Sequence, residues 1–292
     1  MTHVLVTGAT GFIGSALTRA LRASGVCVRT AGRGAGVDAR IATLSAQTDW
    51  RAALEDVDRV IHLAGPAHAR FDETVLRAAI TDATATLAAQ AAAAGVRRFV
   101  YVSSIKATAA HTFERAVAPG DPPAPEDAYG RAKLHAERAV LAHAVLNPIV
   151  LRPPLVHAPD AKANFAALLR LAASGAPLPF AGVKNKRSVI SRAALIEAIK
   201  AAIGEGPGGV YHVADQPSLS IAEIIAALRR GLGLSPNVFN AGPLANLAPA
   251  ALTENLESDD SAFRAAFGYG AHASTGAAEA LEETARAWKA RR

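Results

Sequence analysis

The sequence predicts an α/β fold, a doubly wound parallel sheet with a smaller discontinuous α/β lobe. Three observations lead there. Short β-branched and apolar runs alternate with helical segments, and no hairpin turns join the runs. The first run, Val4-Leu5-Val6-Thr7, ends in Gly8-Ala9-Thr10-Gly11-Phe12-Ile13-Gly14, and a helix carrying Ile13, Ala16, Leu17 and Leu21 opens at once. Glycines at this spacing give a tight turn at Gly8, close approach to a pyrophosphate at Gly11 and helix–strand packing at Gly14. A strand, glycine loop and helix in that order is the Rossmann arrangement, with the pyrophosphate on free N–H groups at the helix start. The third is bulk composition: 292 residues, 51% hydrophobic and 19% charged, suffice for a large core and exclude a disordered chain.

The elements follow in order. The first helix runs to residue 24 and Gly25 closes it. Residues 26–31 form the second strand, and Gly32-Arg33 follow at the place, roughly 20 positions after the glycine loop, where an acid would hold the ribose 2′-hydroxyl of NAD. Gly32 leaves space and the Arg33 guanidinium suits a 2′-phosphate, which favours NADP over NAD. A solvated loop arginine among glycines is the alternative. A short third strand spans 39–44 and a helix 49–55. The fourth strand, 58–65, runs into a glycine turn, and His62 reads as a packed strand-end histidine. An alanine-rich helix covers 71–94 and a fifth strand 98–103. The proline-rich stretch 118–127 is a surface loop. Asp127 caps a helix over 128–146, and 149–151 is another strand.

Beyond it, 161–173 reads as helix, 177–181 as an extended link, 191–203 as helix and 210–213 as the seventh strand. Residues 220–232 form a helix with Ser220 and Glu223 as a capping box. The tail, 253–292, holds two more helices, with Phe267 and Tyr269 at a packing point. The predicted division is a dinucleotide-binding domain at 1–154 plus 182–216 and a substrate-binding lobe at 155–181 plus 217–292.

Several function classes are disfavoured. A net charge of +6 suits an anionic ligand, but the basic residues are scattered and aromatics are only 5%, so nucleic acid is not the expected partner. Cys27 is the sole cysteine, which excludes an intramolecular disulfide and a cysteine-based metal cluster; no metal site is expected. The chain enters its first strand without room for a signal peptide, and no run of about 18 apolar residues suggests a membrane span. A soluble cytoplasmic protein is expected.

The chemistry rests on two constellations. Tyr129 and Lys133, four apart at the start of a helix, lie on one face. An ammonium beside a phenol favours the phenolate, which predicts a lowered Tyr129 pKa and a general acid/base for hydroxyl–ketone interconversion. Ser103 and Ser104 stand at the C-terminal end of a parallel strand, where open α/β sheets bind ligands.

Thr7–Gly14, His62–Ala64, Tyr101–Ser104, Tyr129–Lys133 and Leu151–Pro154 together resemble an extended short-chain dehydrogenase/reductase of the NAD(P)-dependent nucleotide-sugar epimerase/dehydratase group. Lys162–Phe165, Gly182–Arg187 and Gly209–Ala214 carry the resemblance into its nucleotide-sugar half, nearest to the UDP-sugar 4-epimerase and 4-keto-sugar reductase subgroup. The resemblance implies that Ser104, Tyr129 and Lys133 are catalytic. It implies cofactor contacts from Gly8, Thr10, Gly11, Phe12, Ile13, Gly14, Arg33, Leu63, Ala64, Gly65, Ser103, Tyr129, Lys133 and Pro154. Ser104, Asn164 and Arg187 would contact a UDP-hexose, although Asn164 and Arg187 read equally as ordinary surface residues. It also implies a homodimer through the helices at 71–94 and 128–146. Ile105-Lys106 stand where sugar 4,6-dehydratases carry Asp-Glu, so elimination of water lacks its acid.

The resulting expectation is an NADP-dependent 4-keto-sugar reductase. The alternatives are an NAD-dependent UDP-sugar 4-epimerase, a reductase of a smaller carbonyl compound, or a non-catalytic dinucleotide sensor. Departures from the family pattern stand at Thr43, Ile80, His157 and Ala194. Ile80 lies where an asparagine supports the relay behind Lys133, and His157 is expected to alter the pocket wall beside the nicotinamide.

Overall fold

The computed structural model describes residues 2–66, 71–112, 115–242, 248–270 and 276–292. Along the chain run β1 (His3–Thr7), α1 (Gly14–Ala23), β2 (Cys27–Gly32), β3 (Ala39–Arg40), α2 (Arg51–Leu54) and β4 (Arg59–His62). Next come α3 (Glu73–Leu76), α4 (Ala83–Ala93), β5 (Arg98–Val102), α5 (Ala128–Leu141), β6 (Ile149–Arg152) and β7 (Leu155–His157). Then follow α6 (Ala163–Ala173), β8 (Arg187–Ser191), α7 (Arg192–Ile203), β9 (Gly209–His212) and β10 (Asp215–Leu219). The chain ends with α8 (Ile221–Leu232), α9 (Ala250–Thr253), α10 (Ser261–Phe267) and α11 (Ala277–Lys289).

The main sheet is parallel throughout, in the order β3-β2-β1-β4-β5-β6-β9. Strand order reverses between β1 and β4, which opens a crevice at the C-terminal strand ends. Alternation of side chains along each strand builds two cores. Leu5, Val60, Phe99 and Tyr101 pack with Leu87 and Ala136 of α4 and α5. Val4, Val6, Ile61 and Val100 pack with Leu17 of α1 and Leu195 of α7. The doubly wound sheet is the one the sequence predicts, with β9 as its seventh strand.

Helix starts are also as read. The Asp127 carboxylate accepts from the Gly130 N–H at 2.7 Å at the head of α5, and Ser220 and Glu223 form the reciprocal capping box of α8. Other bounds differ. α2 is a single turn, and α5 ends at Leu141 because a separate 3₁₀ turn, Ala144–Leu146, leads to Asn147 in left-handed conformation. The long helix is broken into α3 and α4 by a π-helical turn, Arg77–Asp82, where the Thr81 hydroxyl donates to the Ala132 carbonyl of α5 at 3.0 Å. In the tail, α10 and α11 are the two expected helices; residues 271–275 lie outside the described residues.

The larger correction concerns 182–191. The sequence assigns this stretch to the dinucleotide-binding unit, whereas β8 sits in a second sheet of order β10-β8-β7, parallel to β7 and antiparallel to β10. α7 then packs back onto the main sheet through Leu195, Ile199 and Ala202. β7 has three residues and β10 contains Pro217, too little alternation for a strand signal. Behind this small sheet α6, α8 and α11 enclose a third core around Phe165, Ile225, Leu228 and Leu281.

Arg229 lies wholly inside that lobe. Its guanidinium donates to the carbonyls of Ala172 at 3.1 Å, Asn237 at 2.9 Å, and Ala176 and Pro236 at 2.5 Å, tying the end of α6 to the turn after α8. Arg229→Met would fill most of the space but strand these acceptors away from water. The expected loss is on the order of 3 kcal/mol, read as a lower urea midpoint with unchanged m value.

Candidate active site

The crevice floor is made of backbone. Gly8 has φ +67°, and a Cβ there would lie 2.9 Å from the Ala64 nitrogen, so the turns after β1 and β4 touch. A Cβ on Gly14 would lie 2.2 Å from the Gly8 carbonyl oxygen. The first turn of α1 therefore closes directly on the loop, leaving a cradle without side chains that suits a dinucleotide pyrophosphate. Thr7 completes it from below. Its hydroxyl oxygen accepts from the Leu63 and Ala64 N–H groups at 3.2 and 3.3 Å and lies 2.7 Å from His62 Nδ1. His62 Nε2 reaches the Thr84 hydroxyl at 2.9 Å, so both ring nitrogens are engaged, as a structural histidine requires.

At the far end, Arg33 is exposed on the loop after β2, with Thr10 packed near Gly32 and Gly34. Asp38 is folded back on Thr30, whose hydroxyl and N–H lie 2.7 and 2.8 Å from its carboxylate and hold the carboxyl below its usual range. The Phe12 carbonyl accepts from Arg192 at 3.1 Å, and the same guanidinium pairs with Asp160 at 2.8 Å. The glycine loop is thereby joined to α7 and to the loop after β7.

Tyr129, Lys133 and Glu137 follow at four-residue intervals on one face of α5. The Lys133 ammonium donates to the Val102 carbonyl at 3.0 Å and lies 4.7 Å from the Tyr101 ring centroid and 5.9 Å from that of Tyr129. Burial lowers its pKa to about 8, against the opposing pull of Glu137. The predicted lowering of the Tyr129 pKa is corrected: burial first, and the Asp127 carboxylate second, raise it above the ordinary phenol value.

The serines have parted. Ser104 is half-buried at the head of a 3₁₀ turn, Ile105–Ala107, its Oγ accepting from the Lys106 N–H at 3.3 Å. Ser103 is buried and donates its hydroxyl to Glu137, which forms a buried pair with Arg152. The hydroxyl the sequence grouped with the cofactor is thus engaged beneath the crevice. Pro154 is buried one residue after Pro153, whose carbonyl accepts from the Ile105 N–H at 3.0 Å.

Asn164 is exposed in the first turn of α6. The Arg187 Nη1 donates to the Glu254 carbonyl at 2.8 Å, beside a cleft of about 570 Å³ lined by Gly182, Lys184, Asn185, Thr253 and Glu254. His157 does not form a pocket wall. It is fully buried, with its ring 5.5 Å from Phe165, Nδ1 3.0 Å from the Thr284 hydroxyl and Nε2 3.6 Å from Asp215. Ile80 is buried in the π-helical turn, where a Cβ on Gly65 would lie 3.6 Å from its side chain. Sequence reasoning missed Glu137 and Arg152. Their signals are a third member of the Tyr129–Lys133 helical face and a lone charge at an apolar strand end.

A family model described as the NAD dependent epimerase/dehydratase family matches residues 4–214. A UDP-glucose 4-epimerase of Vibrio cholerae is 35% identical over 243 residues, 77% of this chain and 74% of that protein. The chain belongs to the NAD-dependent epimerase/dehydratase family. As a member it is an NAD(P)-dependent enzyme of the extended short-chain dehydrogenase type. The structure of MoeE5 in complex with UDP-glucuronic acid and NAD aligns at a TM-score of 0.78 and 26% identity over 99% of each chain. The UDP-N-acetylglucosamine 4-epimerase from Bacillus cereus shares the fold at a TM-score of 0.84 and 20% identity, over 99% of this chain and 100% of that one. Among the described residues of this family member no helix is long and apolar enough to cross a membrane.

Burial, and secondly the Lys133 charge, lower the His62 pKa from 6.5 in the unfolded chain to about 3. This group's contribution to stability is full above pH 6.5 and is lost as pH falls toward 3, at about 1.4 kcal/mol per pH unit. His212, lowered to about 4, acts in the same direction. Urea midpoints at pH 7, 6 and 5 are expected to fall steeply for the native chain and less steeply for His62→Gln.

Proposed function

We propose that this protein transfers a hydride at C4 of a UDP-hexose, with 4-epimerisation as the leading reading. The observation that carries it is that Tyr129 and Lys133 share one face of α5, with Lys133 held on the Val102 carbonyl at the end of β5 and α5 pressed on the turn headed by the half-buried Ser104, in a sheet that also carries the side-chain-free cradle of Gly8, Gly11 and Gly14. The named 4-epimerase relative supports the choice of substrate class and reaction. When bound, the nicotinamide would supply the hydride acceptor and donor. Gly8–Gly14, Leu63–Gly65 and Pro154 would hold the dinucleotide, with Lys133 on its ribose.

The chain's own residues then handle the proton. Tyr129 would take the proton of the sugar 4-hydroxyl as C4 loses its hydride, leaving a carbonyl; return of the hydride to the opposite face of C4 and of the proton to its oxygen completes epimerisation. Ser104 would donate a hydrogen bond to the reacting oxygen, and Lys133 would balance charge as Tyr129 cycles. Arg187 and Asn164 would meet the UDP diphosphate along the cleft beside Glu254. The sugar would lie between the dinucleotide-binding unit (1–154 and 182–216, less the β8 stretch) and the lobe of 155–181 and 217–292. The half-exposed Phe71, just before α3, and Val75 within it support pairing of two copies there.

A second reading, NADP-dependent reduction of a 4-keto-sugar, has its own support. Arg33 is an exposed cation on the loop after β2, while the Asp38 carboxylate is engaged by Thr30. Titration with NAD(H) and NADP(H) separates the two. Tight NAD binding indifferent to Arg33→Ala is expected for the epimerase; tight NADP binding that Arg33→Ala weakens at least about tenfold moves the assignment to the reductase. With UDP-glucose or UDP-galactose as substrate, Tyr129→Phe is expected to lower kcat roughly 100-fold or more without losing the dinucleotide. Binding of neither dinucleotide, or full activity in Tyr129→Phe, would sink the proposal.

A further inference from the structure

Lys106 has no part in the reading above, yet it reaches the head of the Tyr129 helix. Its ammonium lies 2.7 Å from Asp127 Oδ2, while Asp127 Oδ1 accepts from the Gly130 N–H at 2.7 Å. The same residue joins the two segments through backbone: a Cβ on Gly130 would lie 2.3 Å from the Lys106 carbonyl oxygen, and the Lys106 N–H donates to Ser104 Oγ. The turn bearing Ser104 and the first turn of α5 are therefore pressed together, with one ion pair across the seam.

We propose that Lys106 is a positioning residue of this site, whose ammonium neutralises the capping carboxylate of Asp127 and locks the Ser104 turn onto the Tyr129 helix. The proposal rests on the catalytic reading of Tyr129. Asp127 is two residues from Tyr129 and is one of the two influences that raise its pKa. Although burial pushes the Asp127 carboxyl up, Lys106, the Gly130 N–H and, last, the Arg131 charge together outweigh it and hold the carboxyl below its usual range. Left alone, that charge would oppose the phenolate that proton transfer requires; Lys106 offsets it.

The other groups around Tyr129 are accounted for. Lys133 follows one turn on, and Tyr101 faces it from β5. Outside, Arg131 pairs with Glu73 of α3 at 3.3 Å and His111 with Glu126 at 2.9 Å. Lys106 is the cation in direct contact with Asp127 among the described residues.

The test is the ionisation of Tyr129 in the NAD-saturated protein, where the positive charge of the oxidised nicotinamide would draw the raised phenol pKa back down; it is followed by phenolate absorbance between pH 6 and 10.5, each variant minus its Tyr129→Phe counterpart. Lys106→Gln is expected to move the step up by roughly half a pH unit or more, Asp127→Asn to move it down, and Lys106→Arg to leave it in place. Asn remains a good helix cap, so Asp127→Asn keeps α5 intact. The Lys106→Gln/Asp127→Asn pair is expected to return toward the native step. A native profile with no Tyr129 step in this range, or a step that Lys106→Gln does not move, overturns the proposal. Turnover of UDP-glucose or UDP-galactose distinguishes the two failures. Its loss in Tyr129→Phe with an unmoved Lys106→Gln step removes only the role of Lys106; its retention in Tyr129→Phe removes the catalytic reading itself.

Discussion

The structure depends on a contact that no side chain could occupy. Where β1 ends, the Gly8 turn meets the backbone of Ala64 and, on its other side, the start of α1 at Gly14. A Cβ at either glycine would force β1, β4 and α1 apart, and with them the switch point of the sheet. β1 and β4 are neighbours in its middle, with β5, the strand that leads to Ser104, next to β4. The left-handed φ at Gly8 and the absence of bulk at Gly14 are separate requirements met in one loop.

Around that contact the protein buries polar groups and satisfies most of them within the chain. Thr7, His62 and Thr84 form one row under the crevice; Ser103, Glu137 and Arg152 form another. In a region of low dielectric such rows are strong when complete and costly when broken. They hold the backbone at the ends of β4, β5 and β6, the edge on which a dinucleotide would rest. The catalytic candidates ride on this support. Lys133 is anchored to the Val102 carbonyl, and Tyr129 sits in the first turn of a helix whose cap is itself charged.

The lobe is built on another principle. Its core of α6, α8 and α11 is apolar, and the buried Arg229 beside it is satisfied by carbonyls rather than by an acid. The Arg192–Asp160 pair beside Phe12 links the two halves at the glycine loop. Cofactor loop and lobe therefore share a border made of one guanidinium.

What the sequence determined by itself is what is local and periodic: the glycine loop, the alternation of strands with helices, the caps at Asp127 and Ser220, and the Tyr129–Lys133 face. Each follows from spacing along one element, where steric and hydrogen-bond rules act between near neighbours. Tertiary structure decided whatever needed two distant segments. The strands β7, β8 and β10 exist because they pair with one another, although none is long or regular enough to declare itself. Ser103 and Ser104 are adjacent and chemically identical, and only strand pleat and packing send one to Glu137 and leave the other at the crevice. Likewise His157 meets Thr284 of α11 and Asp215 of β10, residues far from it in sequence. Electrostatics belongs with these: a lysine four residues from a tyrosine promises a lowered pKa, but burial and the charge on Asp127 set its direction, and both are properties of the assembled fold.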